Sequence, residues 1–359
     1  MRLGIIGLPN SSKTTIFNAL TGLNRPTGAV SSGQIEVFNA VVNVPDERVD
    51  KLSAMYEPKK TTYATVTFSD IAGIDKGFGE SGLSGQLKNE LAQVDGFVHV
   101  VRAFDDDAVP HPYVTIDPKR DVEMVDTEFI LSDLIMIEKK IERLQSDLNR
   151  TSKGGRDKLE QELALMERLK TALEAETPLR DIELDTEEEK SLRGFGFLSQ
   201  KPLLLVFNTG DQLRPASEIL TYNHKNTQTL SLQGKIEAEI AQLGKEDREI
   251  FLQEYGIADP IARRAIRAAY ELMHLQSFFT VGKDEVRAWS VQIGASAPEA
   301  AGVIHSDLQK GFIRAEVMTY DVLMELGSEH GVKEAGKLRL EGKTYIVQDG
   351  DILHIRHSG

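Results

Sequence analysis

Short apolar runs alternate with amphipathic stretches over residues 1 to about 124, a pattern typical of α/β domains. A strand that is buried on both faces of a parallel sheet is a continuous apolar run, and residues 203–207 form such a run. The strand-like segments cover residues 3–6, 35–42, 64–70, 96–101 and 203–207. The pattern therefore predicts an α/β domain with a buried parallel sheet.

The spacing of apolar residues changes near residue 128. Apolar residues recur there at steps of three and four, in two stretches separated by Gly154 and Gly155. Two amphipathic helices with charged outer faces and a short glycine turn predict an antiparallel coiled-coil hairpin over 128–176. Two ordinary core helices of the main domain are the alternative. The apolar positions are Leu134, Ile137, Ile141, Leu144 and Leu148 in the first stretch, and Leu159, Leu163, Met166, Leu169 and Leu173 in the second.

The pattern changes again towards the C-terminus. Residues 234–275 have a helical period, and short alternating strands with several glycines follow from about residue 277. We predict a first domain over 1–276, which carries the hairpin as an insertion, and a small α+β domain over 277–359.

Composition excludes several classes of function. The 359 residues include no cysteine, which rules out disulfides and thiolate chemistry, and the eight histidines show no metal-ligand spacing. A formal net charge of −14 opposes the nonspecific nucleic-acid binding that basic surfaces drive, and we expect no sequence-specific DNA partner. No apolar run approaches a membrane span, and a core strand begins where a signal peptide would lie. We therefore expect a cytoplasmic location and no membrane partner.

Residues 7–14 fit the phosphate-binding template G-x-x-x-x-G-K-[ST] at Gly7, Lys13 and Thr14, whereas Ser12 replaces the second glycine. The loop lies between a predicted strand and a helix-like stretch, a context in which backbone amides and a helix N-terminus hold phosphate oxygens. Lys13 is expected to reach the outer phosphates, and the Thr14 hydroxyl is expected to bind Mg²⁺. The predicted phosphate-binding residues of this loop are Asn10, Ser11, Ser12, Lys13, Thr14 and Thr15.

Three further elements follow in the order used by P-loop GTPase-type domains. Asp70 and Gly73 form a D-x-x-G element, in which the aspartate acts on magnesium and the glycine amide senses the last phosphate. Asn208 and Asp211 resemble the N-K-x-D base-reading element, and Ser231 lies where a base-supporting loop is expected. Each short motif alone is weak, but four elements in this order predict a site for a purine nucleotide.

The chain resembles the YchF, or Obg-like, ATPases over essentially its whole length. The most specific matches are K-E-A-G at 333–336 and Y-I-V-Q-D-G-D at 345–351. Others are G-L-P-N at 7–10, D-I-A-G at 70–73 and E-V-R-A-W at 285–289. The resemblance implies a P-loop NTPase domain with a coiled-coil insertion and a C-terminal β-grasp (TGS) domain. It also implies a preference for ATP over GTP, and binding to the large subunit of the ribosome through the coiled coil and the TGS domain. The phosphate loop and the D-x-x-G element imply Mg²⁺ as cofactor.

Three positions carry residues that differ from those of standard GTPases. The family usually has glycine where Ser12 stands, and a threonine that completes magnesium coordination where Gln34 falls. Ile74 stands where Ras-type GTPases have the glutamine that positions water, and the resembled family also has an apolar residue there. A serine at position 12 is tolerated if its backbone stays in an allowed region, and otherwise weakens phosphate binding.

No catalytic residue is assigned from the sequence. His111 ends the loop 105–111, where the resembled family also has a histidine, and is a weak candidate for a catalytic helper. A solvated loop histidine is the favoured interpretation.

The sequence leaves base choice and turnover open. Asp211 would accept hydrogen bonds from guanine, whereas Thr209 replaces the lysine of N-K-x-D and Asn208 suits either purine. The leading hypothesis is an ATP-preferring switch protein with slow hydrolysis that acts on the ribosome. The alternatives are a non-catalytic module that senses nucleotide or docks on the ribosome, and a GTP-preferring regulatory GTPase.

Overall fold

The computed structural model describes residues 1–27, 36–72, 83–106, 108–151 and 155–358. Its described strands form two sheets with helices packed around them, so the predicted α/β class is confirmed. The strands are β1 (Arg2–Ile6), β2 (Glu36–Asn43), β3 (Lys60–Thr62), β4 (Thr65–Ala72), β5 (Gly96–Arg102), β6 (Leu203–Asn208), β7 (Thr227–Leu232), β8 (Leu275–Thr280), β9 (Glu285–Gln292), β10 (Phe312–Thr319), β11 (Arg339–Glu341) and β12 (Asp351–His357). The helices are α1 (Lys13–Thr21), α2 (Glu47–Tyr56), α3 (Gly85–Ala92), α4 (Pro118–Arg150), α5 (Asp157–Glu174), α6 (Thr186–Leu192), α7 (Ala216–Ile219), α8 (Gly234–Ala241), α9 (Lys245–Glu254), α10 (Ile261–Leu272), α11 (Ala297–Ile304), α12 (Ser306–Lys310), α13 (Tyr320–Leu326) and α14 (Glu329–Glu334).

The first sheet brings the ends of its central strands to one edge. Its order is β2-β4-β1-β5-β6-β7, and β1 pairs in parallel with both β4 and β5. The pairs β5–β6 and β6–β7 are also parallel. Strands β5 and β6 are buried along their whole length, which explains the uninterrupted apolar run at 203–207. Because β4 and β5 lie on opposite sides of β1, the loop after β1 lies where open α/β sheets bind ligands.

The predicted helical hairpin consists of α4 and α5, which pack along each other. Asp117 caps α4 by accepting a hydrogen bond from the backbone amide of Arg120, and Pro118 occupies the first turn. Ion pairs between the two helices join Lys140 to Glu162 at 2.7 Å and Lys170 to Glu138 at 3.0 Å. The buried seam includes Ile137, Leu144, Met166, Leu169 and Leu173.

Helix α4 belongs both to the hairpin and to the core of the first sheet. Its first turns bury Val122, Val125 and Phe129 in the cluster that covers β5 and β6. The hairpin therefore continues a helix of the main core instead of starting at a helix boundary.

A buried carboxylate fixes α4 to the segment before β6. Asp133 accepts hydrogen bonds from the backbone amides of Leu198 at 2.9 Å and Ser199 at 2.7 Å. Burial raises the pKa of Asp133 to about 6, although these hydrogen bonds oppose the shift.

Contacts divide the chain into two compact units, Met1–Val41 with Thr67–Ala265, and Val42–Val66 with Ile266–Gly359. The second unit contains a sheet of order β11-β10-β12-β8-β9-β3. Within it, β3 pairs in parallel with β9, and Arg48 of α2 forms an ion pair with Asp349 at 2.7 Å. The segment Val42–Val66 thus contributes a helix and a strand to the C-terminal unit, while the domain bounds 1–276 and 277–359 stay a prediction.

Within the described ranges, none of the helices combines the length and apolar character needed to cross a bilayer.

Candidate functional site

The loop between β1 and α1 has the backbone of a tight cradle. Gly7 has a φ of +148°, and an added Cβ would lie 2.4 Å from the carbonyl oxygen of Val100. Asn10 adopts a φ of +60°, and its side-chain amide donates to the carbonyl of Pro110 at 3.0 Å. Helix α1 begins at Lys13, so its first-turn amides, which have no partner within the helix, follow directly on the loop.

Ser12 adopts the left-handed conformation that a glycine would favour. Its φ is +74° and its ψ is 28°, and its side chain makes no capping hydrogen bond to α1. The serine is therefore not in the regions that residues with a Cβ prefer, and it adds strain of about 1 kcal/mol relative to glycine. Of the two outcomes expected from the sequence, the structure favours a serine held under strain at the loop.

Ser12→Gly is expected to change the free energy of unfolding by less than about 1 kcal/mol, because relief of strain and the added freedom of the unfolded chain oppose each other. Ser12→Val is expected to be about 2 kcal/mol less stable than Ser12→Gly, since a β-branched residue is a severe outlier at this φ. Urea denaturation of the three proteins measures both differences. Equal stability of the valine and glycine variants would contradict the left-handed backbone at position 12.

Lys13 is folded back onto the loop that precedes it. Its Nζ donates to the carbonyl oxygen of Gly7 at 3.0 Å and to that of Leu8 at 2.8 Å. Two loop carbonyls thus bind the ammonium group from the side of the cradle. Engagement of an outer phosphate requires Lys13 to turn away from them.

Thr14, which follows β1, and Asp70 of the neighbouring strand β4 are in contact, while their shared role at a metal ion stays a prediction. The Thr14 hydroxyl donates to Asp70 Oδ2 at 3.2 Å, and the aspartate is only 2% exposed. Hydroxyl and carboxylate oxygens are hard donors that suit Mg²⁺. Among the described residues no three histidine, aspartate or glutamate side chains cluster as a metal site.

Arg25 is a site residue that the sequence reasoning missed. Its Nη1 lies 2.5 Å from Asp70 Oδ2, the oxygen that also accepts from Thr14. Burial raises the pKa of Asp70, although the charges of Arg25 and Lys13 oppose the shift. No short motif includes Arg25, because the contact with Asp70 joins positions 45 residues apart.

The predicted base-reading residues lie at the carboxyl ends of β6 and β7: Asn208 is the last residue of β6, Asp211 follows it, and Ser231 is the second-last residue of β7. Asn208 is buried, and its Oδ1 accepts from the backbone amides of Gly210 at 3.2 Å and Gly234 at 3.0 Å. This side chain therefore holds both loops of the base region. The Asp211 side chain is exposed, and Ser231 is paired in register with Phe207 one residue before Asn208.

Three residues support this base region without belonging to a recognised motif. Arg264 donates to the carbonyl of Ser231 at 2.8 Å and pairs with the buried Glu237 at 2.8 Å. Phe104 packs on the backbone at Gly210, where an added Cβ would lie 2.9 Å from the Phe104 Cβ. Only the tertiary fold brings these residues to the site.

His111 is not a solvated loop residue, and that interpretation was wrong. Its side chain is buried, and Nε2 lies 3.0 Å from the carboxylate of Asp121 in α4. Its Nδ1 accepts from the backbone amide of Tyr113 at 3.2 Å, so Nε2 carries the proton and donates it to Asp121. Both ring nitrogens are therefore engaged within the protein, and a catalytic role stays an untested prediction.

Gln34, Gly73 and Ile74 lie outside the described residues, so their predicted roles are not addressed by the structure.

Known proteins match this chain from end to end. The "Ribosome-binding ATPase YchF" of Bacillus subtilis (strain 168) is 40% identical over 362 residues, which cover 98% of each chain. The protein of the same name from Escherichia coli O157:H7 is 38% identical over 361 residues, again 98% of each. The chain belongs to the YchF family. A family model for the YchF GTPase C-terminal region, described as a protein of unknown function (DUF933), matches residues 275–358.

A solved YchF structure has the same fold. The Schizosaccharomyces pombe YchF GTPase matches with a TM-score of 0.84 and 29% identity, over 99% of this chain and 97% of that one. The YchF resemblance inferred from short motifs is therefore confirmed. It covers both compact units, including the segment Val42–Val66.

Proposed function

We propose that this chain is a ribosome-associated switch protein that binds a purine nucleoside triphosphate, prefers ATP and hydrolyses it slowly. The observation that carries the proposal is the meeting of three remote segments at one edge of the first sheet. Lys13 and Thr14 follow β1, Asp70 lies two residues before the end of β4, and Asn208 is the last residue of β6. Relatives of 38–40% identity that are named ribosome-binding ATPases support the activity and the partner.

Each group at the proposed site has a task that its chemistry suits. The amides of the loop and of the first turn of α1, from Asn10 to Thr15, hold phosphate oxygens, and Lys13 adds a positive charge. Thr14 and Asp70 hold Mg²⁺, which when bound offsets the negative charge on the phosphates. Gly73 senses the last phosphate, and Asn208, Asp211 and Ser231 bind the base.

Slow turnover is part of the proposal. Ile74 is apolar and cannot orient a water molecule, and His111 already uses both ring nitrogens within the protein. Catalysis by positioning and charge alone still accelerates phosphoryl transfer, because this reaction needs little covalent help from the protein. The nucleotide then acts as a switch because it binds two conformational states of the protein with different affinities.

The partner proposal is the large subunit of the ribosome, in the cytoplasm. The hairpin α4–α5 and the C-terminal unit are the proposed docking elements. The names of the relatives support ribosome binding, while the subunit and the docking elements come from the family resemblance.

Two alternative functions rest on specific residues. The strained Ser12 at the loop favours a non-catalytic member that senses nucleotide or only docks on the ribosome. The carboxylate of Asp211 favours a GTP-preferring GTPase. It is exposed to solvent, and it can accept hydrogen bonds from the N–H groups of guanine.

Phosphate release from ATP and GTP under multiple turnover, with and without ribosomes, tests the activity. We expect slow release from ATP and less from GTP. Release from neither nucleotide under either condition, together with tight binding in a calorimetric titration, would establish the non-catalytic alternative. Faster release from GTP than from ATP would establish the GTPase.

Asp211→Asn is expected to weaken GTP binding by about tenfold or more and to change ATP binding less than about threefold. The variant loses a charged acceptor that only guanine uses, and hydrogen bonds to charged groups contribute about 1.5–3 kcal/mol. Paired calorimetric titrations with Mg²⁺ measure both affinities. Asp157→Asn, an exposed aspartate at the start of α5, is the matched control and should change neither. An equal loss for both nucleotides would contradict base reading by Asp211.

A further inference from the structure

A cation of the protein itself occupies the carboxylate at the proposed metal position. Arg25 Nη1 lies 2.5 Å from Asp70 Oδ2, and the Asp70 side chain is 3% exposed while that of Arg25 is 23% exposed. The Thr14 hydroxyl donates to the same oxygen at 3.2 Å. A guanidinium group thus contacts the oxygen of the D-x-x-G aspartate that faces the phosphate loop.

The guanidinium is held in place from several sides. It stacks 3.4 Å from the ring centroid of Phe38 in β2 and 5.7 Å from that of Phe17 in α1. The backbone of Arg25 is fixed by Asn18, which accepts from the Arg25 amide at 3.0 Å and donates to its carbonyl at 2.9 Å. Cation–π stacking and two hydrogen bonds to the backbone hold the guanidinium of Arg25 in one place. Arg25 therefore differs from a typical surface arginine, whose ion pair is flexible and contributes little.

While Arg25 contacts Asp70, Mg²⁺ cannot bind the same carboxylate oxygen. Mg²⁺ requires near-ideal octahedral geometry and keeps several water molecules, so it needs open space around the carboxylate oxygen. A guanidinium in hydrogen-bond contact with that oxygen fills the space. Two positive charges on one buried carboxylate also repel each other strongly at this distance.

We propose that Arg25 is a resident counter-cation that competes with Mg²⁺ for Asp70. The inference rests on the proposed function, in which Thr14 and Asp70 hold the ion. In the metal-free state Arg25 neutralises Asp70 and keeps its pair with Thr14. Binding of Mg²⁺ requires the guanidinium to leave, and so Arg25 sets the concentration of metal at which the site fills. Arg25 acts on the metal through Asp70 and is a positioning residue.

Direct metal binding tests the competition without any turnover. Mn²⁺ is titrated into the full-length, nucleotide-free protein, and free Mn²⁺ is followed by its electron paramagnetic resonance signal. Arg25→Met keeps a long unbranched side chain that can pack on the two phenylalanine rings, but it removes the charge. This variant is expected to lower the dissociation constant for Mn²⁺ by about tenfold. The gain is expected to vanish in Arg25→Met/Asp70→Asn. An unchanged or weaker affinity in Arg25→Met would overturn the proposal.

Arg2→Met is the matched control. Arg2 has a similar exposure, contacts Ser69 at 2.8 Å next to Asp70 and pairs with Glu90, but does not touch Asp70. It is expected to leave the Mn²⁺ affinity unchanged, and a gain equal to that of Arg25→Met would mean that only the general charge of the region matters, which would overturn the specific competition. Arg25→Gln, whose polar head can still bond to Asp70, serves the same test if Arg25→Met does not fold.

A nucleotide titration separates this inference from the proposed function. The Mg²⁺ concentration for half-maximal binding of a fluorescent ATP analogue is expected to fall about tenfold in Arg25→Met. Absence of binding in both proteins at saturating Mg²⁺ would refute the proposed function, and the Mn²⁺ titration would still decide the role of Arg25. Binding by both proteins at the same Mg²⁺ concentration would refute the role of Arg25 alone.

Discussion

Gly7→Ala is expected to prevent the phosphate loop from adopting its native conformation. It is also expected to lower the free energy of unfolding by about 3 kcal/mol or more. An alanine Cβ would lie 2.4 Å from the backbone oxygen of Val100 and 2.8 Å from Ser11 Oγ. The backbone oxygen belongs to β5, a fully buried strand that cannot move aside. The φ of +148° adds strain for any residue with a Cβ, so the clash and the backbone conformation oppose the substitution together.

Urea denaturation measures the loss, and nucleotide titration of the folded fraction is expected to show no binding. Gly85→Ala is the matched control, because an added Cβ at this position in the first turn of α3 meets nothing within 4 Å. That substitution is expected to leave stability unchanged or to raise it by up to about 1 kcal/mol. Equal stability of Gly7→Ala and Gly85→Ala would show that position 7 has room for a Cβ and that the loop does not approach Val100 closely.

Acid is expected to destabilise the protein through His99, a histidine enclosed in β5. It is 1% exposed, it lies between Ile6 of β1 and Leu205 of β6, and its Nε2 has no hydrogen-bond partner in the described structure. Burial lowers the pKa of His99 to about 3, and the charges of Lys13 and Arg180 add to this shift. The imidazole is therefore neutral in the folded protein at any pH near neutrality.

The sign of the effect follows from proton binding. The unfolded chain takes up a proton at His99 below its ordinary pKa of about 6.5, whereas the folded chain takes it up only near pH 3. Between these values the unfolded state binds more protons, so the free energy of unfolding falls by about 1.4 kcal/mol per pH unit as the pH decreases. From pH 6.5 to pH 5.0 the expected loss from this one residue is about 2 kcal/mol.

His99→Leu is expected to remove that loss, because leucine binds no proton and matches the apolar side chains of Phe97 and Val101 on the same face of β5. Urea denaturation at pH 7.5 and pH 5.0 gives the difference for each protein. His330→Gln is the control, since the side chain of His330 is 81% exposed and should leave the acid sensitivity of the protein unchanged. An equal loss at pH 5.0 in the wild-type protein and His99→Leu would show that His99 is not neutral in the fold.

The sequence predicted the parts of the fold that rest on local patterns. The uninterrupted run at 203–207 appears as the buried strand β6, and the steps of three and four appear as the α4–α5 hairpin. It did not indicate strand β3, because Lys60–Thr62 is short and polar, and only its pairing with β9 makes it a strand. Similarly, the start of α4 ten residues before the predicted hairpin depends on its packing against β5 and β6.

The predicted site likewise contains residues that local spacing identifies and residues whose surroundings only the fold decides. Lys13 and Thr14 are identified by spacing alone, because the backbone of a strand–loop–helix unit places them without help from the rest of the chain. Asp70, Asn208, Asp211 and Ser231 were predicted from short elements in the order of GTPase-type domains, each near the end of a strand-like run, and parallel strands end at one edge. His111 was misread because its partner Asp121 lies on a helix whose direction the sequence does not reveal.

By itself, the sequence determined that this chain is a YchF-family P-loop protein with a helical hairpin and a C-terminal α+β region, since these features depend on short motifs and local periods. Only the tertiary structure decided the left-handed backbone of Ser12, the membership of Val42–Val66 in the second unit and the pair of Arg25 with Asp70. The physical reason is that backbone strain, unit boundaries and buried charge pairs are set by contacts between residues far apart in the chain. Their energies depend on burial and distance, which no local pattern contains.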